Sequence, residues 1–260
     1  MEFYTLASGS SGNCSLVRAG KTTLLIDAGI SCRRIERSLR MLGLTLGDLT
    51  AVLITHEHAD HVSGLATLTK KCAAPVYVTR GAAHILTCPV SPFTAGDTLT
   101  FAGCTVRSFS TSHDAADPVG YCIDTAGGSL GFLTDTGFVT DAAAEMLLGV
   151  DTLLLEANHD IAALENGPYP YFLKRRILGR EGHLSNDAAA EFALNAVKAG
   201  ARDILLAHLS KENNTPELAE YAVARALQSA GLSVRLCVAP RDEISEVHLC
   251  RKSPSSASAN

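Results

Sequence analysis

A chain of 260 residues with 47% hydrophobic and 19% charged side chains has an ordinary globular composition, enough for one large α/β domain or two small ones. Its net charge of -5 neither requires nor excludes a nucleic-acid partner, so local basic clusters matter more than the total. No apolar run approaches the roughly 20 residues of a membrane span, and the opening residues lack a basic segment followed by an apolar core, which argues against a signal peptide.

Residues 3–6, 14–17 and 23–27 read as strands. Between the first two lies Ala7-Ser8-Gly9-Ser10-Ser11-Gly12-Asn13, a loop whose glycines permit positive φ. Ser10, Ser11 and Asn13 either bind a terminal phosphate or simply form the turn; the Gly-Lys-Ser/Thr ending of a P-loop is absent. Ile35, Leu39 and Leu42 give residues 35–42 a helical spacing, 51–54 form a short buried strand, and 62–70 are helix-like. Strands are expected at 75–78 and 99–108, then a hairpin of 119–123 with 131–134. A helix at 142–148, a strand at 152–155, a helix at 186–199 capped by Ser185 or Asn186, a strand at 204–207, a helix at 217–230 and a strand at 234–238 complete the order. It suits two mixed sheets packed face to face with helices outside, as one domain over 1–250, better than a simple Rossmann repeat. The low-complexity tail, 251–260, is expected to be disordered.

The eight cysteines (Cys14, Cys32, Cys72, Cys88, Cys104, Cys122, Cys237 and Cys250) are dispersed without a CxxC pair. That pattern favours reduced, buried thiols and a cytoplasmic location, and argues against a thiolate zinc site.

Three histidines and an aspartate crowd His56-Glu57-His58-Ala59-Asp60-His61, just after the 51–54 strand, where α/β folds usually place their chemistry. Core packing requires no such cluster. Four further strand ends carry suitable groups: His113, Asp135, Glu156 with Asn158 and His159, and His208. His56 and His58 can converge on one ion, Asp60 and His61 can address a second, and a carboxylate such as Asp135 can bridge both. Mixed imidazole and carboxylate ligation suits Zn²⁺, Mn²⁺ or Fe²⁺ and is too nitrogen-rich for Ca²⁺ or Mg²⁺. Two such ions, roughly 3.5 Å apart, would activate water and clamp an attacked phosphorus or carbonyl group.

The string His56-Glu57-His58-Ala59-Asp60-His61 resembles the HxHxDH motif of the metallo-β-lactamase superfamily. The resemblance implies an αββα four-layer sandwich and two divalent ions. His56, His58 and His113 would hold one, Asp60, His61 and His208 the other, with Asp135 bridging them. The strings Ser8-Gly9-Ser10-Ser11-Gly12-Asn13, Glu156-Ala157-Asn158-His159-Asp160 and Gly182-His183-Leu184-Ser185-Asn186 are similar to the YycJ/WalJ-like branch, related to the RNase Z and RNase J nucleases. That branch implies a nucleic-acid phosphodiesterase, foremost a 5′-to-3′ DNA exonuclease with DNA repair or signalling partners. An RNA-processing nuclease and a thioester or lactone hydrolase of the same fold are the alternatives. Cys14 stands where the branch implies serine. The chain lacks both an inserted RNase J-type domain between Glu156 and His208 and a long RNase Z-type arm, which favours DNA ends or short nucleic acid.

His183 resembles the RNase Z histidine that transfers a proton together with a glutamate, here Glu156; direct metal ligation and structural hydrogen bonding are its other readings. Asp60 or Asp135 would orient the attacking water. His159, beside Asn158, contacts ion or substrate or else locks its loop. Asp27 is similar to the family's first aspartate and is expected to orient a histidine rather than bind an ion. Lys174, Arg175 and Arg176 with Arg180, or Arg33, Arg34, Arg37 and Arg40, would hold a nucleic-acid strand or else form solvated helix faces. Asp114 and Asp117 are read as orienting His113 or its loop, His84 as surface or helix packing, and His248 as a strand-edge side chain.

Overall fold

A computed structural model describes residues 1–252; residues 253–260, most of the expected disordered tail, lie outside the described residues. The first half of the chain supplies β1 (Glu2–Ala7), β2 (Cys14–Ala19), β3 (Thr22–Ile26), β4 (Ala51–Leu53), β5 (Val76–Thr79) and β6 (Ser91–Phe93). The second supplies β7 (Thr98–Phe101), β8 (Cys104–Ser110), β9 (Val119–Thr125), β10 (Gly128–Leu133), β11 (Thr152–Glu156), β12 (Asp203–Ala207), β13 (Arg235–Val238) and β14 (His248–Leu249). They pair as two seven-stranded sheets, β14-β1-β2-β3-β4-β5-β6 and β13-β12-β11-β10-β9-β8-β7. Both are mixed: β3 to β6 pair in parallel, as do β10 to β13, and the remaining pairs are antiparallel.

Three apolar layers hold the sandwich. Phe3, Leu24, Leu53, Tyr121, Phe132 and Leu205 pack between the sheets. Outside the first sheet, Leu16, Leu25, Val52 and Val78 meet Ile35 and Leu39 of α1 (Cys32–Met41) and the short turns α2 (Ala59–Val62), α3 (Leu65–Leu68) and α4 (Arg80–Ala83). Outside the second, Leu153, Leu155, Ile204 and Leu206 are covered by α5 (Asp141–Leu147), α8 (Asn186–Lys198) and α9 (Pro216–Ser229). Strands β3, β11 and β12 are buried at every position, as expected of strands covered on both faces. The architecture is the expected αβ/βα four-layer sandwich.

Three details differ from the sequence reading. The helix expected over 62–70 is divided into α2 and α3 at Gly64, whose amide donates to the Ala28 carbonyl at 2.8 Å. A Cβ there would lie 2.0 Å from the Ile30 carbonyl oxygen, so the loop after β3 occupies the space a longer helix would need. The strand expected over 99–108 is the β7–β8 hairpin, turning at Ala102 and Gly103. Two short helices, α6 (Ile161–Asn166) and α7 (Tyr171–Ile177), fill the connection from β11 to α8. Asp160 caps α6 through the Ala163 amide, and the Lys174 ammonium joins α7 to the carbonyls of Glu165 and Gly167 at 2.8 and 2.7 Å.

Candidate metal centre

The polar residues singled out in the sequence meet at one rim of the sandwich. Asp27 follows β3 and the His56–His61 motif follows β4; His113, Asp135 and His208 follow β8, β10 and β12, and Glu156 ends β11. Among the described residues, the non-glycine positions with positive φ are Asp27 (60°), Asp135 (57°) and His208 (56°). All three belong to this rim. A left-handed backbone is uncommon for side chains beyond glycine, and here it turns each one inward at its strand end.

The hydrogen bonds orient the imidazoles. His61 Nδ1 faces Asp27 Oδ2 at 2.8 Å, His56 Nδ1 faces Thr55 Oγ1 at 3.1 Å, and His113 Nδ1 donates to the Gly182 carbonyl at 3.0 Å. His208 Nδ1 faces Glu156 Oε1 at 3.1 Å. With Nδ1 engaged outward, each ring presents Nε2 to the centre, the arrangement by which outer carboxylates and carbonyls fix metal-ligating histidines. His58 alone presents Nδ1, which lies 3.2 Å from His113 Nε2. Asp27 therefore orients His61, and its oxygens also accept the Thr55 amide and hydroxyl.

Ligand atoms converge within 4.8 Å in four overlapping groups: His56, His58 and His113; His56, His61 and Asp135; Asp60, His61 and His208; and Asp135, Glu156, His183 and His208. The first and third are the two trios expected from the superfamily motif, and Asp135 belongs to the groups between them. His56 Nε2 is buried without a partner. So is Asp135 Oδ2, which accepts no aligned hydrogen bond although His61 Nε2 lies 3.2 Å away. Burial opposes charge on Asp135, yet His208 and His61 hold its carboxyl well below the usual range. Burial likewise opposes a proton on His208, but Asp135, Asp60 and Glu156 raise it to about 10. His61 is raised well above its usual value against the same burial by Asp135 and Asp27, whereas burial lowers His56 and His113. A buried pocket with orphaned donor atoms, and carboxylates that hold protons on adjacent histidines, fits divalent cations in those protons' place.

Glu156 is fully buried and accepts from four groups: the His183 and His208 rings through Oε1, and the Thr136 and Leu184 amides through Oε2. Burial raises its pKa, but the His183 charge and these hydrogen bonds bring it down to about 2. His183 Nδ1 lies 2.7 Å from Oε1, leaving Nε2 free, and its side chain is 16% exposed. Asn158 donates to the His208 carbonyl at 2.9 Å and so braces that ligand's loop. His159 is buried with neither ring nitrogen hydrogen-bonded, and burial lowers it to about 4.

The glycine-serine loop divides. Asn13 turns inward, its amide 3.3 Å from Asp60 Oδ2 and 3.0 Å from His61 Nε2, while Ser10 and Ser11 face solvent. Gly29 packs so tightly beneath it that a Cβ would fall 1.6 Å from the Asp60 carbonyl oxygen. Two contributors escaped the sequence reading: Ser8, whose hydroxyl accepts the His208 amide at 2.9 Å, and Thr55, which touches Asp27, His56 and His61.

The two basic clusters differ. On α1, Arg33, Arg37 and Arg40 are exposed and Arg34 pairs with Asp242, a solvated face. On α7, Arg176 is bound to Asp114 beside His113, and Lys174 is spent on the two carbonyls already described. Asp117 offers its carbonyl to Thr79, and His84 is exposed. His248 lies on the edge strand β14 but is buried rather than peripheral, since its Nδ1 meets Asp203 Oδ2 of the opposite sheet at 2.7 Å.

Residues 22–209 match the Beta-lactamase superfamily domain. The chain belongs to the metallo-β-lactamase-fold superfamily. Within the superfamily it is 37% identical over 242 residues to exodeoxyribonuclease YycJ of Bacillus anthracis, covering 90% of this chain and 92% of the relative. It is 38% identical over 243 residues to exodeoxyribonuclease WalJ of Streptococcus pneumoniae, covering 90% of each. Among solved structures, YhfI from Bacillus subtilis superposes with a TM-score of 0.70 at 17% identity over 94% of this chain and 98% of its own. Human tRNase Z, short form, gives 0.67 at 18% identity over 96% and 100%. The superfamily fold and the clustered ligands make the chain a metal-dependent hydrolase. No helix of the described residues is long and apolar enough to cross a membrane.

Proposed function

We propose that the chain is a binuclear phosphodiesterase that degrades DNA from the 5′ end. The observation that carries this reading is the Glu156–His183 pair, an imidazole held at 2.7 Å by a buried carboxylate beside the ligand groups. Full-length similarity to two exodeoxyribonucleases supports DNA as the substrate. Two Zn²⁺ or Mn²⁺ ions, or Fe²⁺, held by His56, His58, Asp60, His61, His113, Asp135 and His208 would supply Lewis acidity and activate water at neutral pH. Asp60, steadied by Asn13, orients the attacking water toward phosphorus. His183, with Nδ1 engaged by Glu156, carries the proton on Nε2 and passes it to the departing 3′ oxygen, whose alkoxide is a poor leaving group without an acid. Arg175, on α7 next to Arg176 and its Asp114 ion pair, would screen the backbone charge beside this rim.

The test is digestion of end-labelled single-stranded DNA, duplex DNA and RNA, bearing 5′-phosphate or 5′-hydroxyl ends, in Mn²⁺ or Zn²⁺. Stepwise shortening of DNA from the 5′ end is expected. Preferential cleavage of RNA, or turnover of a thioester with no phosphodiester cleaved, would replace the proposal.

A further inference from the structure

Helix α7 carries exposed aromatic groups that the catalytic rim does not use. Tyr171 and Phe172 are each 74% exposed, side by side at the start of the helix. Neighbouring aromatic rings left in water mark a contact surface more often than a scattered apolar residue does. Arg175 and Arg176 follow one turn later, so the i to i+4 spacing sets Tyr171 beside Arg175 and Phe172 beside Arg176.

Behind the helix, Arg175, Arg176 and Arg180 form one wall of an open cavity of about 440 Å³, facing Ser112, Asp114 and Phe138. Three guanidiniums against Asp114 and Glu181 leave the lining net positive. Arg176 is committed to Asp114, whereas Arg175 and Arg180 form no ion pair among the described residues; Arg180 lies over the Phe138 ring at 4.3 Å. The cavity borders the metal centre. Asp114 Oδ1 is 3.5 Å from His113 Nε2, Phe138 follows Asp135 by three residues, and the His183 amide donates to the Ile177 carbonyl at the end of α7.

We infer that α7 and this cavity grip an unpaired nucleic-acid strand: Tyr171 and Phe172 stack on its bases while Arg175 and Arg180 take backbone phosphates leading to the rim. Exposed rings beside a positive groove are how single strands are held without sequence preference, because every base offers a π face. Bases within a duplex are already stacked, so the rings select an unpaired strand. An apolar protein partner would match the rings but not the guanidiniums behind them. The inference rests on the phosphodiesterase reading and adds to it a preference for unpaired over duplex nucleic acid.

The test compares the wild-type chain with Tyr171→Ser/Phe172→Ser and with Arg175→Ala. Both alter exposed side chains, and circular dichroism verifies the fold. Binding of a short fluorescein-labelled oligothymidylate with phosphorothioate linkages is followed by anisotropy across a salt series. The double variant is expected to bind at least about 10-fold more weakly. Arg175→Ala is expected to flatten the slope of log affinity against log salt by about 0.7, the value for one single-strand phosphate. Equal affinity of wild type and double variant, or wild-type binding to the matching duplex as tight as to the strand, overturns the inference. So does unchanged strand affinity accompanied by lost binding to phosphatidylglycerol vesicles, which would assign the rings to a membrane surface. Turnover of bis-p-nitrophenyl phosphate by the wild-type chain tests the underlying reading separately. Strand binding through α7 without any phosphodiester cleavage would sink that reading and spare the grip; cleavage with α7-independent binding would do the reverse.

Discussion

Replacing Glu156 by Gln keeps the shape of the side chain and removes its charge. The carboxyl's fall from 4.5 to about 2 corresponds to roughly 3 kcal/mol in favour of the charged form. The structure places the beneficiaries of that charge at Oε1, where the His183 and His208 rings sit at 2.7 and 3.1 Å. A neutral amide weakens the hold on the His183 proton and ring position. General acid catalysis is worth about 10²–10⁴-fold, so E156Q is expected to slow cleavage of a dinucleotide by about 10²-fold or more. With bis-p-nitrophenyl phosphate the leaving group needs little protonation, and the loss is expected to stay within about 5-fold. Steady-state kcat on both substrates, at equal metal content, measures the ratio. An equal loss on the two would show that Glu156 acts through His208 and the metals alone; an unimpaired dinucleotide rate would refute the proton-transfer role.

Three further outcomes follow from the geometry. Asp135→Ala removes the carboxylate shared between ligand groups, so bound metal should fall from two ions to one or fewer by elemental analysis. Turnover should drop at least about 10²-fold, since altering a group that merely orients a ligand already costs about 10–100-fold. Gly29→Ala forces a Cβ to within 1.6 Å of the Asp60 carbonyl oxygen; a loss of at least about 1–3 kcal/mol in urea unfolding, with weakened metal binding, is expected. His159 titrates near 4 when folded and near 6.5 when unfolded, so the unfolded chain binds more protons between those values and stability falls as pH drops through that window. His159→Gln should therefore lose about 1–3 kcal/mol less than wild type between pH 7 and pH 4, read from denaturation midpoints.

The residues that converge at the rim were legible because strand-end histidines and carboxylates have no place in a core, and because four of them share one six-residue string. Their partners were less visible. Ser8 reads as a turn residue and Thr55 falls between the 51–54 strand and the histidine motif, and only the approach of β12 and the loop after β3 gives their hydroxyls something to hold. His248 alternates with Val247 and Leu249 in the pattern of an edge strand, but Asp203, the residue that buries it, lies 45 positions away in the other sheet. Helices α6 and α7 went unseen because prolines and glycines punctuate residues 167–182 and seven residues offer too few turns for a helical period. The break at Gly64 is likewise set by a loop more than 30 positions earlier, which no local propensity records.

The donor atoms are partitioned along the chain. His56, His58, Asp60 and His61 come from the first sheet, and every other donor from the second, so a single cut in the turn between β6 and β7 would separate them. The first piece completes no group of three donors, and the second keeps Asp135, Glu156, His183 and His208 together but completes neither expected trio. Completing both trios thus requires the two half-sandwiches to dock in register, so under the binuclear reading a newly made chain would acquire its reactivity only after that closure.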